Sequence, residues 1–360
     1  MCGIAGIISH KPIDEAPLQQ MIRALGHRGP DDRGVWFAQP ETACPVRVGL
    51  ANTRLAILDL SPAGHQPMDD SAMGSCITYN GEIYNYRELR KELSVRSEEL
   101  GVRGGESTVG CRASAVSHEG WRSQTDTEVI LKAYARWGRE SLHYLRGMFA
   151  FGIWDAGRQE LFLARDPFGI KPLYYYQTNH LFLFASEVRA LLTSGLVPQR
   201  LSSEGTASYL HCGSVQAPGT IIEGVRSLLP GHYVVAKLQE SMLQVEEVPY
   251  AKGLCSETPA PPVSDRQEAV VLLRQHLEES VRLHLVSDVP LGVFLSGGID
   301  SSALVALMNQ VTDERPKTFS VVFAEGEFSE ASHSHLVAEK FGTEHTEIPL
   351  SEEELLTRLP

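Results

Sequence analysis

Residues 146–166 read RGMFAFGIWDAGRQELFLARD, in which two short apolar runs, MFAFGIWD and ELFLARD, are separated by turn-forming residues. The length of both runs and their aromatic and β-branched content predict β-strands. Segments of the same kind recur through the first 205 residues, as GIAGII, VRVGLANTRLAIL, SCITYNG, PLYYY and HLFLFAS. Their spacing predicts antiparallel sheets, and the periodicity at 85–93 and 126–137 adds helices.

Two segments without a regular apolar pattern mark the domain organisation. Residues 94–120 are polar, glycine-rich and aperiodic, which predicts a surface insertion. The stretch SETPAPPVSD is rich in proline and serine and is typical of a linker. We therefore expect a first domain over 2–215, an interdomain connection over 216–262 and a second domain over 263–360.

The second domain has a different pattern. It begins with a helix that Ser264 or Asp265 can cap and that runs to about residue 286. Apolar residues at helical spacing predict one stripe along it, formed by Val270, Leu273, Leu277, Val281 and Leu285. Strand-like segments (PLGVFL, TFSVVFA, HTEIPL) then alternate with helix-like segments (ALVALMNQ, HLVAEKF). This alternation predicts part of a doubly wound, parallel α/β sheet after an α+β first domain.

Composition limits the classes of function. A length of 360 residues predicts roughly two domains. A hydrophobic content of 42% supports packed cores and excludes wholesale disorder. The 45 acidic residues outnumber the 32 lysines and arginines, giving a formal charge of −13, which disfavours a surface for long nucleic acids. A local pocket for one nucleotide remains compatible with this charge.

The expected location is the cytoplasm. No apolar run reaches the ~18 residues of a membrane span, and the start MCGIAGIISHKPID lacks the basic region of a signal peptide. The six cysteines are scattered without a CxxC pair or zinc spacing. We therefore expect free thiols, a reducing compartment and no membrane partner.

Cys2 is the first candidate for chemistry. If Met1 is removed, the chain begins with a thiol and a free α-amine on one residue, and the amine has an ordinary pKa near 8. Such an amine can take the thiol proton near neutral pH, so one residue supplies both nucleophile and base. Gly3 beside it allows close approach of a substrate. The alternative is an inert cysteine buried in a strand.

The motifs that follow Cys2 favour the first interpretation. In chain order they are HRGPDD, RLAILD, YNGEIYNYREL, TDTEVIL, RGMFAF, ARDPFGIKPLYY and FASEVRAL. Together with MCGIAGI, they resemble the class II, N-terminal-nucleophile glutamine amidotransferase domain over nearly all of residues 2–200. The resemblance implies a four-layer αββα sandwich, in which two antiparallel sheets pack between helical layers.

The resemblance also implies roles for individual residues. Cys2 attacks the side-chain amide of glutamine, and the Asn80 side chain and Gly81 amide stabilise the oxyanion. Arg54, with Leu55 beside it, receives the α-carboxylate, because a guanidinium binds a carboxylate in a bidentate manner. Asp126 and the region of Glu82 receive the α-ammonium group. Asp126 also stands where it can cap the helix that follows it.

A second constellation lies in the second domain. SGGIDSS (296–302) follows an apolar strand and opens a helix. Its glycines allow close backbone approach, and amides at a helix N-terminus form a nest for pyrophosphate. The chain contains no GxxxxGK[ST] loop. A glycine-rich turn that binds nothing is the alternative.

This loop resembles the SGGxDS motif of ATP pyrophosphatases, which adenylate a carboxyl group. The resemblance implies ATP as substrate, with Mg²⁺ neutralising its phosphates. The implied ATP-binding residues are Leu295, Ser296, Gly297, Gly298, Asp300, Ser301, Ser302 and Val321. Leu295 and Val321 would contact the adenine ring at the carboxyl ends of adjacent strands, the usual ligand position in open α/β sheets.

The order of the two constellations resembles the glutamine-hydrolysing asparagine synthetases. The resemblance implies that glutamine supplies ammonia, which displaces AMP from β-aspartyl-AMP formed from aspartate and ATP. A later GxGxDE-type motif of such proteins is absent from these residues, so we expect an incomplete second domain. A different acceptor, a glutaminase alone and a regulatory fragment stay open as alternatives, and so does a homodimer.

Overall fold

The computed structural model describes residues 1–11, 14–38, 47–100, 120–239, 242–251, 263, 265–323 and 329–358, and at 47, 95–100, 238–239, 355 and 358 it describes the backbone alone. The chain divides into two compact units, Met1–Glu257 and Thr258–Pro360. No described helix combines the length and apolarity that a membrane crossing requires. The described cysteines Cys2, Cys76 and Cys212 carry free thiols.

Twelve described strands of the first unit form two antiparallel sheets of six strands each. Sheet A has the spatial order β10 (Val225–Ser227), β8 (Tyr174–Gln177), β9 (Leu181–Ala185), β1 (Gly3–Ser9), β3 (Arg47–Arg54) and β2 (Asp32–Phe37). Sheet B has the order β12 (Met242–Pro249), β11 (His232–Gln239), β7 (Glu160–Arg165), β6 (Gly147–Asp155), β5 (Ser75–Ile83) and β4 (Met68–Asp70). The expected antiparallel sheets are confirmed.

The helices of the first unit are α1 (Ala16–Ala24), α2 (Tyr86–Leu100), α3 (Asp126–Trp137), α4 (Val188–Thr193) and α5 (Ser203–Cys212). Short 3₁₀ turns lie at Gly26–Arg28, Pro62–Gly64 and Gly138–His143. α1 and α4 cover the outer face of sheet A, and α3 packs on β5 of sheet B with α2 beside it. This arrangement is the expected four-layer αββα sandwich.

Strand β1 explains why the sequence begins with a continuous apolar run. Ile4 and Ile8 point into the core between the sheets, where they meet Trp154 and Leu163 of sheet B. The intervening Ile7 points the other way, into the core beneath α1 and α4. Because the strand is buried on both faces, its sequence shows no polar alternation. Cys2 directly precedes this fixed strand.

The first unit extends beyond the boundary expected at residue 215. The sequence predicts an interdomain connection over 216–262, whereas β10, β11 and β12 lie in this range and add strands to both sheets. The buried residues Val234 and Ala236 of β11 join the core between the sheets. These strands are short or amphipathic, so their apolar signal is weaker than that of GIAGIIS. The proline-rich linker, apart from Val263 and Asp265, lies outside the described residues.

Helix positions differ from expectation in two places. The helix expected at 85–93 continues to Leu100, and residues 101–119 of the expected insertion lie outside the described residues. The helix at 126–137 is confirmed, but its N-cap is Thr125 and not Asp126. The Thr125 hydroxyl accepts a hydrogen bond from the Glu128 amide at 3.4 Å. Asp126 is therefore the first helical residue, and its carboxylate is available for other contacts.

The second unit contains the expected parallel sheet. Its strands β13 (Gly292–Phe294), β14 (Lys317–Phe323) and β15 (Glu344–Leu350) pair in chain order. Its helices are α6 (Arg266–His284), α7 (Ile299–Val311), α8 (Ala331–Phe341) and α9 (Glu352–Arg358). Right-handed crossovers between strands in chain order place α7 and α8 on one face, and the two helices contact each other. The reversal of strand order that completes a doubly wound sheet is not among the described strands.

Helix α6 begins as predicted. The Asp265 carboxylate accepts hydrogen bonds from the amides of Gln267 and Glu268, at 3.3 and 3.1 Å. Of its predicted apolar stripe, Val281 is buried, whereas Leu273 is 61% exposed. Helical periodicity identifies which face is apolar and does not show that the face is covered.

Candidate active site

The first unit contains a cavity of about 250 Å³, lined by residues directly before β1, at the end of β3 and along β5. Its volume lies below the ~300–1,000 Å³ of pockets for drug-sized ligands, which suits a small polar metabolite. All seven residues predicted for the amidotransferase site line it: Cys2, Arg54, Leu55, Asn80, Gly81, Glu82 and Asp126. The structure therefore brings together residues from the strands β3 and β5, the residue that precedes β1, the loop after β3 and the first residue of α3.

The backbone around Cys2 is held on both sides. The Gly3 amide donates to Thr53 Oγ1 at 3.1 Å, and the Ile4 amide donates to Ser186 Oγ at 3.0 Å. Arg28 Nε donates to the Cys2 carbonyl oxygen at 2.9 Å. These bonds fix the start of β1, so the direction of the Cys2 side chain is set by the fold.

The Cys2 thiol is enclosed by the chain that follows β3. The Leu55 amide donates to Cys2 Sγ at 3.4 Å, and Sγ lies 3.7 Å from the Leu55 carbonyl oxygen. Burial raises the pKa of this thiol, while the Leu55 amide, the amino terminus and Arg54 lower it and Asp126 raises it further. Burial outweighs the favourable contacts, so a reactive thiolate requires a nearby base.

The Met1 α-amine interacts electrostatically with this thiol. Burial lowers the pKa of the amine and Cys2 raises it, while Lys171 and Arg28 lower it by charge repulsion and Asp31 raises it. Met1 lines the cavity, yet the residue as a whole is 56% exposed. A lowered pKa increases the fraction of neutral amine, which is the form that accepts a proton.

Asn80 presents an unsatisfied donor to the cavity. The residue is 1% exposed, and its Nδ2 has no hydrogen-bond partner within the described chain. A buried donor without a partner costs roughly 1–3 kcal/mol, so an external acceptor would stabilise it. Next to it, a Cβ on Gly81 would lie 2.3 Å from the Met148 carbonyl oxygen. Glycine is therefore needed where β5 passes this wall of the cavity.

Opposite charges occupy two walls. Arg54 is 6% exposed, and its guanidinium donates to the Leu58 and Asp59 carbonyl oxygens at 3.0 and 2.6 Å. Because a guanidinium has five N–H donors, capacity remains for a carboxylate. Asp126 lies 5% exposed, and its Oδ2 accepts from Tyr79 Oη and the Ile83 amide. Burial raises the pKa of Asp126, and both of these hydrogen bonds lower it.

The sequence interpretation did not assign roles to several residues of this region. Arg28 bridges the Cys2 carbonyl to Glu187, with Nη1 3.0 Å from Glu187 Oε1. Tyr79 and Lys171 also line the cavity. The motifs HRGPDD, FASEVRAL and ARDPFGIKPLYY contained these charged residues, but a motif alone does not tell which side chain faces a pocket.

The second predicted site lies in the second unit, between β13 and α7. Gly297 has a φ of +79°, and Gly298 caps α7. Ser301 Oγ lies 3.1 Å from Ser296 Oγ and donates to the Gly298 carbonyl oxygen at 3.2 Å. Asp300 and Ser302 follow in the first turn of α7. The turn at the carboxyl end of β13 thus has the geometry expected of SGGIDSS.

The two predicted adenine contacts differ in exposure. The Leu295 amide donates to the Phe319 carbonyl oxygen at 2.8 Å, and the Leu295 side chain is buried in the core of the second unit. Only the backbone of Leu295 can therefore meet a ligand. Val321, on the adjacent strand β14, is 42% exposed and accessible.

The described residues do not form a protein site for Mg²⁺. Within the described ranges, no group of three or more His, Cys, Asp or Glu side chains is placed to hold a metal ion. Mg²⁺ that is held mainly by nucleotide phosphates needs only one or two protein carboxylates, so this finding concerns a site built from protein side chains alone.

Two family models match the chain. The glutamine amidotransferase domain matches residues 1–105 and 112–247, and the asparagine synthase family matches residues 272–360. The first of these covers both sheets except the last two residues of β12, and it covers every residue that lines the cavity. The second begins within α6 and covers SGGIDSS.

Curated relatives align along nearly the whole chain. A putative glutamine-hydrolysing asparagine synthetase 2 of Methanocaldococcus jannaschii is 32% identical over 96% of this chain and 64% of its own length. The amidase chry2 of Gibberella zeae is 30% identical over 99% of this chain and 52% of its own. Asparagine synthetase 1 of Bacillus subtilis is 33% identical over 100% and 52%. The chain thus spans about half to two thirds of the length of these relatives.

Solved structures align more loosely. The glutamine phosphoribosylpyrophosphate amidotransferase of B. subtilis, complexed with ADP and GMP, aligns over 100% of this chain and 71% of its own. Its TM-score is 0.43 and its sequence identity is 16%.

Proposed function

This chain belongs to the glutamine amidotransferase family, and from that premise we propose that its first unit hydrolyses glutamine to glutamate and ammonia. We further propose that the ammonia aminates an acid activated by ATP, with aspartate as the acceptor and asparagine as the product. The observation that supports the first step most directly is the meeting of the Cys2 thiol and the unpartnered Asn80 Nδ2 in one cavity.

The proposed reaction begins once Met1 has been removed and Cys2 carries the α-amine. The thiol proton passes to the amine, and the sulfur attacks the amide carbon of glutamine. The carbonyl π electrons move to oxygen, forming a tetrahedral oxyanion. When the oxyanion collapses, the carbon–nitrogen bond breaks and the ammonium proton goes to the departing nitrogen, releasing ammonia. Water then hydrolyses the thioester to glutamate and regenerates the thiol.

The cavity walls match the charges of this substrate. Asn80 Nδ2 can donate to the oxyanion, and we assign the Gly81 amide as the second donor. Arg54 would bind the α-carboxylate, and Asp126 with Glu82 would bind the α-ammonium group. A ligand with both charges therefore has an oppositely charged side chain for each end, with Cys2 lining the same cavity.

For the second unit, we propose that the SGGIDSS turn binds the pyrophosphate part of ATP. An aspartate β-carboxylate oxygen attacks the α-phosphorus and pyrophosphate leaves, giving β-aspartyl-AMP. Ammonia then attacks the β-carbonyl carbon and AMP leaves. The match of residues 272–360 to the asparagine synthase family and the positive φ of Gly297 support this assignment. Mg²⁺ would arrive with the ATP phosphates.

A second candidate keeps both half-reactions and changes the acceptor. The amidase chry2 is nearly as similar to this chain as the asparagine synthetases are. Ammonia-dependent release of AMP should be measured with aspartate and with a panel of other carboxylic acids. Release with aspartate supports asparagine formation, and release with another acid alone supports the second candidate.

The glutaminase proposal is tested on the 360-residue chain. Mass spectrometry first determines whether Met1 is present, and glutamate release from glutamine is then measured for the wild type and for Cys2→Ala. We expect a processed amino terminus, activity in the wild type and none in the variant. Activity that survives Cys2→Ala would refute the proposal. Light scattering and cell fractionation test the accompanying proposals of a homodimer and a cytoplasmic location.

A further inference from the structure

Lys171 is a buried cation that the proposed reaction does not use. The residue is 6% exposed and lines the same cavity as Cys2 and Glu82. Within the described chain, no carboxylate lies within 4.0 Å of its ammonium group. A buried lysine without a paired carboxylate is costly, so a role in the cavity would explain its presence.

The turn after β7 holds Lys171 in place. The carboxylate of Asp166, which is fully buried, accepts hydrogen bonds from the amides of Phe168, Ile170 and Lys171 at 2.9–3.0 Å. The Arg165 guanidinium donates to the Lys171 carbonyl oxygen at 2.8 Å and also to the Gly169 carbonyl oxygen. These contacts close the turn on itself, so the base of the Lys171 side chain is fixed beside the cavity.

The charges around Lys171 connect it to the nucleophile. Burial lowers the pKa of Lys171, whereas the nearby negative forms of Glu82 and Cys2 raise it. Because the interaction between two charges is mutual, the Lys171 ammonium group in turn favours the thiolate form of Cys2. A positive charge beside the sulfur therefore favours loss of the thiol proton.

Other charged groups act on the Cys2 thiol and on the amino terminus. Arg54 of β3 and Asp126 of α3 act on the thiol, and Arg28 and Asp31 before β2 act on the Met1 α-amine. Glu82 of β5 lines the same cavity and acts on Lys171. The two arginines already donate to protein acceptors, Arg54 to backbone carbonyls and Arg28 to Glu187. Lys171 is the cation of this set with no such acceptor among the described side chains.

We propose that the ammonium group of Lys171 stabilises the Cys2 thiolate, an inference that rests on the proposed function. Lys171 retains its own proton throughout and contacts no reacting atom. It is therefore a positioning residue that acts through the charge of the nucleophile.

The test measures the thiol directly. The rate of Cys2 alkylation by iodoacetamide is followed by peptide mass spectrometry between pH 5 and pH 10, for the full chain and three variants. Lys171→Met removes the charge, Lys171→Arg keeps it, and Lys91→Met removes an exposed lysine of α2 as the matched control. We expect a higher midpoint pH in Lys171→Met, with alkylation at neutral pH about tenfold slower for each unit of displacement. Lys171→Arg and Lys91→Met should keep the wild-type midpoint.

An unchanged midpoint in a folded Lys171→Met variant overturns the proposal. So does loss of folding in both Lys171→Met and Lys171→Gln, because a purely electrostatic role predicts that removing an unpaired buried cation leaves the fold intact. Alkylation does not require glutamine hydrolysis, so the two proposals fail separately. Activity retained in Cys2→Ala refutes the glutaminase, whereas an unmoved midpoint refutes only the role of Lys171.

Discussion

The Tyr79 hydroxyl donates a hydrogen bond of 2.8 Å to Asp126 Oδ2, which joins sheet B to the first residue of α3 behind the cavity. Burial and the Asp126 charge both raise the pKa of Tyr79, so the phenol remains a donor at every physiological pH. The Ile83 amide donates to the same oxygen at 2.9 Å. Asp126 is thus held by Tyr79 and Ile83 of sheet B together with the amides of residues 126 and 127 at the start of α3.

Tyr79→Phe should weaken glutamine binding more than turnover. The variant leaves the buried carboxylate with one donor fewer, and a hydrogen bond to a charged group contributes about 1.5–3 kcal/mol. We expect KM for glutamine to rise by about tenfold, with a smaller change in kcat. Steady-state glutaminase kinetics check this result. Tyr144→Phe, at a half-exposed ring outside the cavity, is the control. An unchanged KM would show that Tyr79 does not position Asp126.

Asp126→Asn should reduce binding and yet stabilise the fold at neutral pH. The pKa of Asp126 is raised in the folded chain, so the folded state binds its proton more tightly than the unfolded state. The free energy of unfolding of the wild type therefore falls as the pH rises from about 4 through the pKa of Asp126 in the folded state. The asparagine side chain of the variant does not ionise, so the variant does not lose this stability. In thermal unfolding, the variant should have a higher melting temperature than the wild type at pH 7, and this difference should vanish toward pH 3.

The same variant should lose the counter-charge for the glutamine α-ammonium group. Removing one partner of a buried charge pair costs about 2–5 kcal/mol, so KM should rise at least about thirtyfold. A variant that is less stable than the wild type at pH 7 would show that the hydrogen bonds of the carboxylate stabilise the fold by more than burial of its charge destabilises it. If KM is unchanged, Asp126 does not bind the ammonium group.

Asn80→Ala should lower kcat while leaving KM nearly constant. The unpartnered Nδ2 has no described protein acceptor to lose, so the variant should keep its fold. Loss of one oxyanion donor costs about 10²–10³ in kcat. Glutaminase kinetics and unfolding curves measured on the same preparation distinguish a loss of catalysis from a loss of stability. A large loss of stability with unaltered kcat would assign Asn80 to the structure of sheet B.

Gly81→Ala should impair both the fold and the glutaminase. Its Cβ would lie 2.3 Å from the Met148 carbonyl oxygen and 2.8 Å from Phe149 Cα, so β5 and β6 would have to separate. Gly120→Ala is the control, because its Cβ meets no atom within 4 Å. We expect a lower melting temperature and weaker activity for Gly81→Ala alone. Equal melting temperatures for the two variants would contradict this interpretation.

The sequence predicted the seven cavity residues because they lie in motifs that contain chemically suitable side chains and that follow one another in the chain order typical of the family. It also predicted the strands with the strongest apolar runs. It did not predict β11 and β12, in which charged residues such as Glu246 and Glu247 break the apolar pattern. Nor could it show that the Leu295 side chain faces the core or that Lys171 faces the cavity. Each of these depends on packing between segments far apart in the chain, which periodicity does not describe.

Gly297→Ala should separate the two half-reactions. Gly297 has a φ of +79°, which L side chains adopt rarely, and its Cβ would lie 2.5 Å from His333 Cβ at the start of α8. The turn that carries Ser296 and Ser301 would therefore have to move, and the amides proposed to bind pyrophosphate would move with it. The cavity around Cys2 belongs to the first unit and shares none of these contacts. We expect wild-type glutaminase activity together with at least tenfold weaker ATP binding, because displaced amides lose ~1.4 kcal/mol or more of their hydrogen bonding to the phosphates. ATP binding is measured by the quenching of a fluorescent ATP analogue. Undiminished ATP binding would place the nucleotide elsewhere, whereas a parallel loss of glutaminase activity would show that the substitution disturbs more than the turn.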